Sequence, residues 1–203
     1  VEVVITGKTK MQGGLCIGGL RLSDWSAIRL LPSDGSRSWP TDSPMKVGEV
    51  WNVEGAPNAV LTPPHTEDFR LTVAPSKVRD YGASLKNDIV ANVAVAQGNF
   101  AALYQGHLLP ILSGSICVRR PNVPSFSTQF WIATWDINLR LNGKAYYVVS
   151  WQDKTYKMPY VGVEQPVTVI PAGSLIRVSL ARWFTPPSHT EEACYLQLSG
   201  WWL

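Results

Sequence analysis

The sequence predicts a mainly β protein of two tandem small barrels with one or two short helices. Three observations carry this reading. Fifteen Pro and 16 Gly punctuate the 203 residues, a density that favours short strands joined by turns over long helices. Roughly a dozen short runs are β-branched, aromatic or alternating with period two, as strands are. A strand–loop–strand pattern also occurs twice along the chain.

The elements follow in order. Residues 1–5 (VEVVI) alternate poorly but are β-branched, which reads as a buried strand. Gly pairs flank Leu15-Cys16-Ile17 and predict a short strand between tight turns. Residues 25–31, 47–53 and 69–73 read as further strands, with a Pro/Ser/Asp-rich loop over 32–44. Residues 84–97 are the best helix candidate, with Ser84 as N-cap and Gly98 as stop. Residues 99–105 add a short helical turn. Strands resume at 115–119, 130–135, 137–141, 145–151, 167–170, 175–180 and 194–198. Between two of them, Asn142-Gly143 predicts a type I′ hairpin.

The repeat is the most informative feature. Thr62-Pro63-Pro64-His65-Thr66-Glu67-Asp68 recurs as Thr185-Pro186-Pro187-Ser188-His189-Thr190-Glu191-Glu192. Upstream, residues 47–53 align with 172–178, so that Gly48 falls on Gly173 and Val53 on Val178. A strand follows each copy. Two copies of a small β domain fit the length, with 1–110 as the first barrel plus its helical segment and 111–203 as the second. Small barrels of this size suggest OB-like units, five-stranded Greek-key barrels. The pattern fits SH3-like barrels equally.

The chain resembles the prokaryotic dual OB-containing domain family. The matching pieces are Lys8-Thr9-Lys10, residues 13–19 (GGLCIGG), Trp25 before residues 28–31 (IRLL), residues 64–68 (PHTED) and residues 140–151. The resemblance implies a nucleic-acid-binding module of a prokaryotic system, of the defence or mobile-element kind, with no catalytic residues.

The residues weighed directly agree with a binding role. Gly7-Lys8-Thr9 lacks the earlier Gly of a phosphate-binding loop, since Glu2 stands there. Cys16, Cys117 and Cys194 are spaced neither as a disulfide framework nor as a zinc motif. His65 and His189 lack nearby ligands or a nucleophile. They are expected to pin the turns of the repeat, with no metal, no cofactor and no enzymatic activity. No run approaches the ~20 apolar residues of a membrane span, and residues 1–10 read as a strand and not as a signal peptide, which leaves a processed precursor open. A reducing cytoplasm is the expected setting.

Charge and aromatics place the expected site. The net charge is +3. Residues 1–100 balance at ten basic and ten acidic, whereas 115–160 hold six basic and two acidic. Cations hold a phosphate backbone while aromatic side chains stack bases. The candidate contacts are Lys8, Lys10, Arg29, Arg119, Arg120, Trp135, Arg140, Lys144, Trp151 and Lys154, with the second barrel dominant. At least two of the nine Trp are expected to be exposed. The expected partner is single-stranded nucleic acid. The alternative is a protein-interaction adaptor, because Trp-rich surfaces also make protein hot spots.

Overall fold

The first seven strands form one sheet. They are β1 (Glu2–Met11), β2 (Gly14–Arg21), β3 (Ala27–Leu31), β4 (Glu49–Asn52), β5 (Gly55–Pro57), β6 (Asp68–Leu71) and β7 (Ser76–Asp80), in the order β5-β6-β3-β2-β1-β4-β7. The computed structural model describes residues 1–187 and 190–203. Its chain divides into two compact units, one of 1–62 with 67–94, the other of 63–66 with 95–203.

In the first unit β1, β2 and β3 run as an antiparallel meander, β4 pairs with β1, and β6 lies parallel to β3. Just beyond β4, β5 pairs with β6. Residues 49–57 therefore hydrogen-bond β1 at one end and β6 at the other, which curls the sheet back on itself. Inside lie Val3, Ile5, Ile17, Ile28, Leu30, Trp51, Phe69 and Leu71. The opposite side of β1 is covered too, because Val4 and Thr6 are buried. A strand buried on both faces needs no polar alternation, which explains the irregular pattern of residues 1–5. Gly19 is required where β2 crosses β1, since a Cβ there would collide with the Val4 carbonyl and the Val3 side chain.

The second unit starts with β8 (Val95–Gln97) and a 3-10 segment (Phe100–Gly106) broken at 103–105. Then come β9 (Leu109–Pro110), β10 (Ile116–Val118), β11 (Thr128–Ile132), β12 (Ile137–Asn142), β13 (Lys144–Trp151), β14 (Lys154–Pro159), β15 (Val169–Ile170), β16 (Leu175–Leu180) and β17 (Cys194–Trp202). One sheet has the order β8-β11-β16-β17-β10-β9 and the other β14-β13-β12-β15.

The first unit's pairing scheme recurs here. β11 and β12 act as one strand bent at 133–136. Its second part pairs with β13, and β13 with β14. Its first part pairs with β16, β16 pairs with β17, and Tyr160 bridges to Leu198 in parallel. Gly48 and Gly173 thus occupy one topological position, the turn before the fourth strand. Both have positive φ, +87° and +79°. Each turn closes with a 3.2 Å backbone hydrogen bond, Glu49 N–H to Lys46 O and Ser174 N–H to Pro171 O. The Thr-Pro-Pro loops both lie between strands four and five, and the protein is mainly β with two OB-like units.

Several local expectations differ from the structure. The helix, α1, spans only Leu85–Asn92, and Ser84 makes no side-chain cap. Residues 95–97 pair in parallel with β11 instead, because sheet pairing outweighs the weak helix propensity of this Val-containing run. Residues 95–110, read from sequence as part of the first half, belong to the second unit. There Phe100, Leu103 and Tyr104 join its core. In the Asn142-Gly143 hairpin, Leu141 pairs with Ala145 and only Gly143 has positive φ, so it is not type I′. The type I′ conformation falls at Gln152-Asp153, where both residues have positive φ (49° and 58°) between the paired Trp151 and Lys154. Among the described residues no helix is long and apolar enough to cross a membrane.

Candidate nucleic-acid interface

Strand alternation decides which side chains β12, β13 and β14 offer to solvent. Ile137, Tyr147, Val149, Tyr156 and Met158 are buried and point into the core. The intervening residues form the outer face. Register sets them in rows, with Arg140 opposite Tyr146 and Tyr146 opposite Pro159. The next row is Asn138, Val148 and Lys157. The Lys157 ammonium lies 5.4 Å from the centre of the Tyr146 ring. An aromatic ring is therefore flanked by two cations on a solvent-facing sheet. Arg140 and Lys157 are exposed and Tyr146 half-buried. Lys144, exposed at the hairpin tip, extends the charge. None of Arg140, Lys144, Lys154 and Lys157 has an ion pair among the described residues.

The two expected Trp contacts lie elsewhere. Trp151 shares the parity of Tyr147 and Val149, packs on the core, and meets Phe100 edge-on at 5.5 Å. Trp135 packs on the same core, edge-on to Trp131 at 6.2 Å. None of the nine Trp is exposed, against the expectation of at least two. Their indole N–H groups explain part of this, since an indole buries well when its N–H finds an acceptor. Trp39 donates to Leu30 O, Trp51 to Glu49 Oε2, Trp131 to Gly98 O and Trp183 to Pro63 O. The aromatic on this outer face is Tyr146, which the Trp-weighted reading missed. Its signal was parity: in residues 144–151, Tyr146 alternates with the apolar set that includes Trp151.

The cations of the first unit are mostly spent on its own fold. Arg29 forms an ion pair with Asp68 at 2.6 Å, plus a 2.9 Å hydrogen bond from Nη2, and ties β3 to β6. It is thus a strut and not an open phosphate contact. Lys8 donates to Ser43 O at 2.6 Å, Arg70 to Pro32 O and Ser36 O, and Arg79 pairs with Glu2. Lys10 is exposed at the end of β1. The outer side of β2 and β3 carries buried Gly18, Leu20 and Leu31, with no aromatic row.

Arg119 and Arg120 follow β10. Arg119 lies 3.2 Å from Glu191, and Arg120 sits 4.6 Å over the Trp183 ring. Lys154 begins β14 at the Gln152-Asp153 turn, apart from the outer rows. His65 is buried, with Nε2 3.2 Å from Leu180 O, and the Thr66 hydroxyl donates to Ser125 O. His189 lies outside the described residues.

Three buried groups of the second unit stay protonated at neutral pH. Burial pushes the Cys194 thiol up to about 12 and raises that of Cys117, so neither is a thiolate. Burial likewise pushes the Tyr147 phenol up to about 12. Among the described residues no group of three His, Cys, Asp or Glu is placed to hold a metal ion.

None of the curated proteins matches the chain. One similar solved structure, described as "Structural mimicry for functional antagonism", has 10% identity and a TM-score of 0.35, covering 98% of this chain and 88% of the other. Another, a murine DNA binding protein bound with ds DNA, has 9% identity and a TM-score of 0.31, covering 98% and 97%. The family model of the dual OB-containing domain matches residues 1–201. With two units of one five-strand pairing scheme, and a match over nearly its whole length, the chain belongs to the dual OB-containing domain family.

Proposed function

We propose that the protein binds single-stranded nucleic acid on the outer face of β12, β13 and β14, as a non-catalytic module of a prokaryotic cytoplasmic system. The observation that carries this reading is Tyr146 flanked by Arg140 and Lys157. A ring accepts a base by stacking, and flanking cations neutralise phosphates. A duplex would offer its bases only at groove edges, whereas a stacking platform needs them splayed out.

The test is a titration of the full chain with single-stranded DNA, single-stranded RNA and duplex at two salt concentrations. Single strands are expected to bind more tightly than duplex, and more weakly as salt rises. Tyr146→Ala is expected to weaken single-strand binding at both salts. An intact chain that binds no nucleic acid at low salt would overturn the proposal and favour a protein-docking role for the same face.

A further inference from the structure

We infer that a second site, a cleft beside the start of β14, takes the phosphate and base of a nucleotide. The cleft has a volume of about 720 Å³, within the ~300–1,000 Å³ of small-ligand sites. Ile111, Leu112 and Gly114 form one wall, Tyr156 lines it from β14, and Arg119 and Lys154 are its charged lining residues. Among the described residues, no acidic side chain lines it.

The wall is held in shape before any ligand arrives. Ile111 N–H donates to Ser115 O at 2.9 Å, Gly114 N–H to Ile111 O at 2.9 Å, and Lys157 N–H to Gly114 O at 2.7 Å. A preformed site avoids the entropy cost of ordering a loop on binding. At the rim, Leu112 is wholly exposed, which leaves an apolar surface for a flat base. The Arg119 guanidinium is a planar fork that matches phosphate oxygens, and Lys154 adds a compact charge. Glu191 already holds Nη1 of Arg119 at 3.2 Å, yet its side chain is 69% exposed. Such a pair is weak because water screens it. A phosphate would replace the Glu191 carboxylate on Arg119.

The ligand is a free nucleotide or the phosphorylated end of a strand. The cleft adjoins the outer face at Lys157, whose N–H bonds its wall at Gly114, but its lining residues Arg119 and Lys154 are distinct from Arg140, Tyr146 and Lys157. The experiment titrates the full chain with adenosine 5′-monophosphate, adenosine and inorganic phosphate by calorimetry. A short thymidine strand, with and without a 5′-phosphate, then serves as competitor. The monophosphate is expected to bind more tightly than adenosine or phosphate alone. Arg119→Gln and Lys154→Gln should each weaken it about tenfold, as removal of a charged hydrogen bond does. Glu191→Gln should tighten it. Competition by the phosphorylated strand and not by its 5′-hydroxyl twin assigns the site to strand ends. Absence of competition by either assigns it to free nucleotides. Lys154 is exposed, so Lys154→Gln tests the site with folding intact. No saturable binding of the monophosphate or the phosphorylated strand, or binding unchanged in both variants, would overturn the inference. That failure leaves the outer-face titration untouched.

Discussion

At the scale of single residues, the buried groups carry the sharpest expectations. Glu49 is buried, and burial alone would raise its carboxyl above the ordinary 4.5. Hydrogen bonds from Lys77, the Lys46 N–H and the Trp51 indole outweigh this and hold it lower. The unfolded chain therefore binds this proton first as pH falls. Glu49 should add stability that is fully present above pH 4.5 and lost as pH drops through its folded value. Denaturant titrations between neutral pH and acid should show a shallower acid loss for Glu49→Gln than for the parent. Asp68 is the second case. Its ion pair with Arg29 has side-chain exposures of only 8% and 17%, and removing one partner of a mostly buried pair costs about 3 kcal/mol. Asp68→Ala should therefore lower the denaturation midpoint markedly. Trp151→Ala should behave likewise, since large core aromatics cost ~3–5 kcal/mol to truncate, and any folded fraction should keep its affinity for a single strand.

The elements show how far the sequence could be read, and why it stopped. Strand positions were legible because β-branched runs and period-two alternation are local signals, and β16 falls where they place it. The repeat located equivalent turns because a positive φ selects Gly at both Gly48 and Gly173. The helix was over-extended because parallel pairing of β8 to β11 is a long-range event with no local mark. The hairpin turns were exchanged for a related reason. Asn142-Gly143 is the commoner type I′ pair, but the β12–β13 register pairs Asn142 with Lys144 and leaves Gly143 alone at the tip, while Gln152-Asp153 adopts type I′ despite its side chains. Left-handed conformations cost non-Gly residues ~1–2 kcal/mol each. Replacing Gln152-Asp153 by Asn-Gly should raise stability by about 1 kcal/mol, read from thermal or denaturant midpoints.

For the whole molecule, charge is the property that separates the two halves. Ten basic residues in the first hundred are matched by ten acidic ones, and many are drawn into its own ion pairs and carbonyl contacts. The excess in residues 115–160 includes exposed cations without ion pairs. Sequence arithmetic found that asymmetry but not its face, because a side chain's direction follows from strand parity and not from charge count. Removing one phosphate-binding cation should lower the salt slope of binding by about 1. Arg140→Gln with Lys157→Gln should flatten the slope by about 2, whereas Tyr146→Ala should cost ~1–3 kcal/mol and leave the slope in place. Residues 63–66 sit in the second unit while 67–94 return to the first. A single breakpoint before 63 strips the first unit of its last strands, and one between 67 and 94 strips the second of the loop that carries His65. No single cut in the chain therefore separates the two units intact.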